Sequence, residues 1–240
     1  MYNDIAKIYD ELFPITESQK EFFIQLAKDI APPRNLLDVG CATGELAVAL
    51  DDHYNYIAAI DLNQSLLEVA AKKPHSNHLD FRRMDMTRIA NVYFNRSFSA
   101  ISCLGNTLAH LRDALDIQLF LSGCHKLLRA KGTLVLQILN YDKILDNETT
   151  TLSPIKSENY LFEREYDIRN DQNIVFRTIV TDKKSQKQDI SDTNLVPLRP
   201  KALEGLLKDS EFENITLYED LSKTPFTANS TVLVVQATAG

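Results

Sequence analysis

Between residues 36 and 139 short apolar runs alternate with segments of helical periodicity, and this alternation narrows the fold more than any other feature. The apolar runs fall at 36–39, 56–61, 79–85, 98–104 and 133–139, with helical patterns at 45–51, 64–73 and 112–129. Strands separated by helices imply βαβ units and a parallel sheet. Right-handed crossovers then place helices on both faces. A helix over 17–30 comes first, with Phe22, Phe23, Leu26 and Ile30 on one face, and Pro32 and Pro33 end it. A helix at 199–209 and strands at 212–219 and 231–237 close the chain. The expected fold is α/β and doubly wound (Rossmann-like): a seven-stranded, mostly parallel sheet with helices on both faces.

The pattern changes after residue 140. Segments 159–168 and 174–181 read as strands around the polar turn RNDQN, and 188–196 as a third. The lysine-rich DKKSQK (182–187) reads as a solvated hairpin tip. One domain, 1–240, is therefore expected to carry an antiparallel β-rich insert over 145–198 that shapes a substrate mouth.

The stretch LLDVGCATGELAVAL (Leu36 to Leu50) joins the first strand to its helix and holds two of only seven glycines. Glycine permits a left-handed backbone and the close approach of a ligand to the helix N-terminus. A tight turn without a ligand is the plain alternative. Asp61 ends the second strand 21 positions after Gly40, where an acid can accept hydrogen bonds from ribose hydroxyls. A nicotinamide fingerprint would be G-x-G-x-x-G/A. This chain has Gly40, Ala42 and Glu45 at those places. A glutamate cannot serve the close helix–strand packing of the third.

Asp38 and Gly40 followed by Gly44, then Asp61, resemble the pattern of class I S-adenosylmethionine-dependent methyltransferases. That family usually has glycine where this chain has Ala42. Strand three ends in MDMT. The resemblance implies that Asp85 binds the adenine amino group, with Met86 beside the ring; taken alone, Asp85 reads equally as a helix-capping acid. FSAISCLGNTLAHLRD (98–113) is similar to the matching segment of glycine N-methyltransferases, through Cys103, Leu104, Gly105, Asn106, Ala109, His110 and Leu111. NYDKIL (140–145) resembles that branch's Asn-Tyr-Asp element. The resemblance implies S-adenosylmethionine as cofactor and S-adenosylhomocysteine as product. Adenosine would lie by Asp61, Leu62, Asp85 and Met86. The methionine part would run along Asp38, Gly40, Cys41, Ala42, Gly44, Leu104 and Gly105. It also offers Tyr2 and Tyr9 as an aromatic lid.

One departure bears on the acceptor. Glycine-methylating members carry an arginine just before Asn-Tyr-Asp; this chain has Leu139. The branch's paired tyrosines also lack counterparts in TNLVPL (193–198). Glycine is therefore not the expected acceptor; a small molecule methylated on N or O is. Leu139, Leu195 and Val196 point to a less polar one, with core packing as their plain alternative. Asn106 is the candidate for steering the acceptor, and His110 or Tyr9 for a base; His110 reads equally as a helix cap. A nicotinamide oxidoreductase and a cofactor-binding protein without turnover are the rival readings.

Composition removes other classes. The net charge of −7 disfavours a nucleic-acid partner. No apolar run approaches the ~20 residues that span a bilayer. The start, MYNDIAKIYDEL, lacks the order of a signal peptide, and Cys41, Cys103 and Cys124 show no paired spacing, so a cytoplasmic protein with reduced thiols is expected. Without Cys-x-x-Cys and with scattered histidines, no metal site is expected.

Overall fold

A computed structural model of the chain describes residues 5–170 and 173–240. Its central sheet has seven strands: β1 (Asn35–Val39), β2 (Tyr56–Asp61), β3 (Leu79–Arg83), β4 (Phe98–Cys103), β5 (Leu128–Leu139), β10 (Phe212–Tyr218) and β11 (Val232–Ala239). Their order is β10-β11-β5-β4-β1-β2-β3. β11 runs antiparallel between β5 and β10, whereas β1 to β5 pair in parallel. The strand order reverses between β1 and β4, a switch point of the kind at which open α/β sheets take ligands.

The period-2 alternation of each strand divides the core in two. Leu37, Val39, Ala58 and Ile60 face a cluster with Ile117, Phe120, Leu121, Leu203 and Leu207 from the helices Ala114–Leu127 and Pro200–Asp209. Leu36, Ile57 and Ala59 face the opposite cluster, under Phe22, Phe23 and Leu26 of the helix Glu17–Asp29. Helices thus cover both faces, as the alternation requires. Their starts carry the expected chemistry. Thr16 and Gln19 form a reciprocal capping box, Asn63 and Asp113 cap the next long helices, and Pro200 occupies a first-turn position.

The insert forms a second, antiparallel sheet in the order β6 (Thr151–Lys156), β7 (Tyr160–Asn170), β8 (Asn173–Asp182), β9 (Gln188–Leu195). Three of these strands are legible in the sequence; β6 is not. It is a six-residue edge strand containing Pro154, with a register break between Leu152 and Ile155. Proline is tolerated on an edge but hides the strand signature. Part of the RNDQN turn, and Tyr2, lie outside the described residues. A third cluster, Ile5, Leu12, Phe162 and Val180, packs the N-terminal segment against this sheet.

Candidate active site

The carboxyl ends of β1, β2, β3 and β5 and the loop after β4 open on one cavity of about 1300 Å³. Single small-molecule pockets run to roughly 1,000 Å³, so the space suits two ligands together. The parallel strands make its floor. The inward face of the insert sheet makes its roof, through Ile155, Phe162, Arg164, Tyr166, Phe176 and Thr193.

The loop after β1 is wound by three left-handed residues: Gly40 (φ 72°), Ala42 (φ 49°) and Gly44 (φ 72°). At Gly40 a Cβ would come within 2.5 Å of Thr107, so glycine lets the loops after β1 and β4 meet. Gly44 is placed differently from Gly40. It does not line the cavity; a Cβ there would sit 2.4 Å from the Phe81 ring. Its task is helix packing at the start of Glu45–Ala49. Ala42, in a conformation that suits glycine, is held by its amide donating to Asp61 Oδ2 at 2.9 Å.

Three aspartates face the floor. Asp38 is buried and accepts from Ser102 Oγ at 2.8 Å. Burial first, and Asp61 next, push its carboxyl up to about 6, while the Ser102 bond opposes them. A buried acid without a cation partner is costly as an anion, and this one suits a cationic ligand group. Asp61 also accepts from the Asn63 amide at 2.8 Å, and burial pushes its carboxyl upward. Oδ2 thus holds the Ala42 amide and Oδ1 the Asn63 amide, with the Leu62 amide also acting on the carboxylate, and lone pairs remain for a ligand hydroxyl. Asp85 Oδ1 takes the Thr87 amide and hydroxyl at 2.9 and 2.8 Å, so the capping reading is realised while the residue also lines the cavity. Cys41, Leu62, Met86, Leu104 and Gly105 line it too. Burial pushes the Cys41 thiol well above its ordinary range, which keeps it protonated.

The catalytic candidates also reach the cavity. Asn106, left-handed at φ 67°, has its side chain engaged: Oδ1 accepts from the Leu139 amide at 3.1 Å, and Nδ2 meets Tyr141 Oη at 3.0 Å. Its first task is to tie the loop after β4 to the end of β5. His110 does not cap the following helix; Asp113 does. Burial pushes its imidazole down to about 4, so it is neutral at neutral pH. Tyr9 lines the cavity with its ring 4.9 Å from Phe13. Of Leu139, Leu195 and Val196, only Leu139 lines it. Leu195 is fully in the core and Val196 packs against it, so their reading as acceptor contacts is corrected in favour of core packing. The Asn-Tyr-Asp element is a scaffold. Asn140 donates to the Ala228 and Ser230 carbonyls, Tyr141 is buried against Asn106, and Asp142 pairs with Arg199 at 2.7 Å.

The sequence places an insert at the substrate mouth and a lid candidate at Tyr9, but not the side chains by which roof and strap meet the cavity. Residues 9–16 cross the cavity as a strap. Asp10 bonds Thr43 and lies 2.7 Å from Lys73 Nζ, the Ile15 amide donates to Glu45 at 3.0 Å, and Glu11 accepts from the Asn159 amide at 2.9 Å. Glu45, read only as unfit for nicotinamide packing, has a positive role here. The signal for the roof is the period-2 row Phe162, Arg164, Tyr166 on the strand expected over 159–168.

Residues 36–132 match a family model described as "Methyltransferase domain". A "Glycine/sarcosine N-methyltransferase" of Aphanothece halophytica is 29% identical over 218 residues, spanning 87% of this chain and 77% of that protein. The structure of the CcbJ methyltransferase from Streptomyces caelestis superposes with a TM-score of 0.81 at 19% identity, covering 98% of this chain and 96% of that one. An S-adenosylmethionine-dependent methyltransferase from Clostridium acetobutylicum does so with 0.78 at 20%, covering 100% and 99%. At such identities the structural likenesses establish the fold.

Proposed function

We infer that this chain, a class I S-adenosylmethionine-dependent methyltransferase, methylates a small molecule held between the floor aspartates and the insert sheet. The observation that carries the reading is the convergence of Asp38, Asp61 and Asp85 with the Gly40 loop on a cavity with room for a second ligand. The donor set fits the cofactor: Asp61 lone pairs suit ribose hydroxyls, Asp38 suits the methionine ammonium, and Asp85 with Met86 suits adenine. When bound, S-adenosylmethionine supplies an electrophilic methyl on a sulfonium.

The protein's own work is alignment and water exclusion. With it bound, an acceptor lone pair would take the methyl carbon as the sulfur–carbon bond gave way, the thioether of S-adenosylhomocysteine would leave, and the acceptor would give up a proton to water. Positioning alone contributes up to ~7–11 kcal/mol in the best intramolecular cases. His110, down at about 4, is too weak a base to take a proton from an ammonium. The acceptor amine or hydroxyl therefore meets the methyl already deprotonated or loses its proton after transfer. The Gly105 amide donates to Gln137 Oε1 at 3.1 Å, and the Asn106 side chain is fixed by Leu139 and Tyr141. We assign Asn106 to holding the shape of the acceptor end, and the insert over 145–198 to capping it. Leu139 in place of an arginine argues against glycine as acceptor.

A thermal-shift panel with S-adenosylmethionine, S-adenosylhomocysteine, NAD and NADP tests the cofactor. Stabilisation by the first two alone is expected; a shift with NAD or NADP alone overturns the reading. Labelled-methyl transfer into a mixed metabolite extract tests turnover, and no labelled product from any extract would favour a binding protein instead.

A further inference from the structure

The roof is apolar or aromatic at Ile155, Phe162, Tyr166 and Phe176, with one cation among them, Arg164. β7 places Phe162, Arg164 and Tyr166 on one face, because they are two residues apart. The register continues that face across the sheet, with Ile155 opposite Phe162 and Phe176 opposite Tyr166. Arg164 Nη2 donates to the Ser153 carbonyl on β6 at 2.7 Å, which pins the guanidinium. Its Nε is buried and has no hydrogen-bond partner among the described residues. The carbon at the guanidinium's centre lies 6.0 Å from the centroid of the Phe162 ring. A buried N–H left unpaired costs free energy, and this one belongs to a planar fork suited to two oxygens of one ligand. The other arginines lining the cavity are engaged elsewhere: Arg112 with Asp116 at 2.6 Å, Arg83 with the Leu62 carbonyl at 3.1 Å.

Resting on the methyltransferase reading, we propose that Arg164 is a specificity-determining residue that binds a carboxylate on the acceptor, whose apolar or aromatic body lies along Phe162, Tyr166 and Phe176. Leu139 removes a carboxylate clamp from the floor, and Arg164 supplies one from the opposite wall. Moving the clamp displaces the acceptor's charged end toward the roof. That leaves the Leu139 end for apolar substance and makes room for a body larger than glycine. Tyr166 is close enough for Arg164 to oppose the burial that pushes its phenol up to about 12, so the two side chains share one corner.

The test uses the full chain with matched probes: phenylalanine against phenethylamine, and 4-hydroxybenzoate against its methyl ester. Protein saturated with S-adenosylhomocysteine is followed by thermal shift, and labelled-methyl transfer from S-adenosylmethionine is followed in parallel. The carboxylate member of a pair should stabilise the loaded protein or be methylated in preference to the partner that lacks a carboxylate. Arg164→Gln should weaken that preference roughly 10- to 100-fold, through KM rather than kcat, the loss expected for charge-assisted hydrogen bonds. Arg164→Lys, which keeps the charge but not the fork, should recover part of it. Affinity for S-adenosylhomocysteine should stay within twofold in both variants, which separates this proposal from the cofactor reading. Equal response to the members of each pair, or carboxylate preference unchanged in Arg164→Gln, overturns the proposal. Failure of the wild type to bind S-adenosylhomocysteine overturns the methyltransferase reading instead.

Discussion

The cavity's floor and roof are made by different rules. The floor hangs from the ends of buried parallel strands, and its contacts come from backbone turns and short aspartates at fixed places in the chain. The roof is a four-stranded antiparallel sheet whose inward side chains come from alternate positions on separate strands. A floor of this kind is tied to one ligand, because moving any residue of the Gly40 loop disturbs the sheet below. Tyr166 and Phe176 of the roof also pack into the main core, whereas Arg164 lies outside it and can change without moving the floor loop, so under the proposal above acceptor choice would be built there.

The largest expected effect tests the floor. Asp61→Ala removes the acceptor of the Ala42 and Asn63 amides, together with the ribose contacts proposed above. Charge-assisted bonds contribute roughly 1.5–3 kcal/mol each, so S-adenosylhomocysteine affinity by calorimetry should fall about 100-fold or more. An unchanged Kd would remove Asp61 from the cofactor site. Gly44→Ala draws the line between lining and packing. It should cost about 2 kcal/mol of stability in denaturant unfolding, from its left-handed φ and the Phe81 overlap. The purified variant should still bind cofactor.

This contrast explains what the sequence makes legible. Asp38, Gly40, Asp61 and Asp85 sit at strand ends whose positions follow from hydrophobic periodicity, so chain order alone brings them together. Gly44 fits the same pattern but not the same job, because one glycine spacing serves both a ligand and a phenyl ring. Asn106 is legible as a candidate, yet its partner Tyr141 lies 35 positions on and no local pattern links them. Arg164 and the strap residue Asp10 were missed for the same reason. Which face of an insert strand turns inward depends on how two sheets pack, and that is a tertiary fact.

A further prediction concerns pH. Asp38, up at about 6, must be ionised to meet an ammonium. A proton competes with the ligand below that value, so S-adenosylhomocysteine affinity should fall as pH drops from 7 to 5, by up to about tenfold per unit below 6. Asp38→Asn should abolish that slope. His110, with its raised-proton form confined below about 4, should leave the slope intact when replaced by Gln. A slope that follows His110 rather than Asp38 would mean that the acceptor side controls cofactor binding.

The smallest effect concerns the strap, which grips both walls. Asp10 reaches Thr43 and Lys73 on the floor, while the next residue, Glu11, reaches Asn159 at the roof. These contacts are partly exposed, and exposed pairs contribute little individually, so changes of a few-fold are expected. Asp10→Asn should speed S-adenosylhomocysteine release in stopped-flow measurements and leave acceptor KM unchanged. Glu11→Gln should raise acceptor KM and leave cofactor release unchanged. If both substitutions moved both quantities equally, the strap would couple floor and roof into one closing unit. Their independence would then hold for how they are built but not for how they bind.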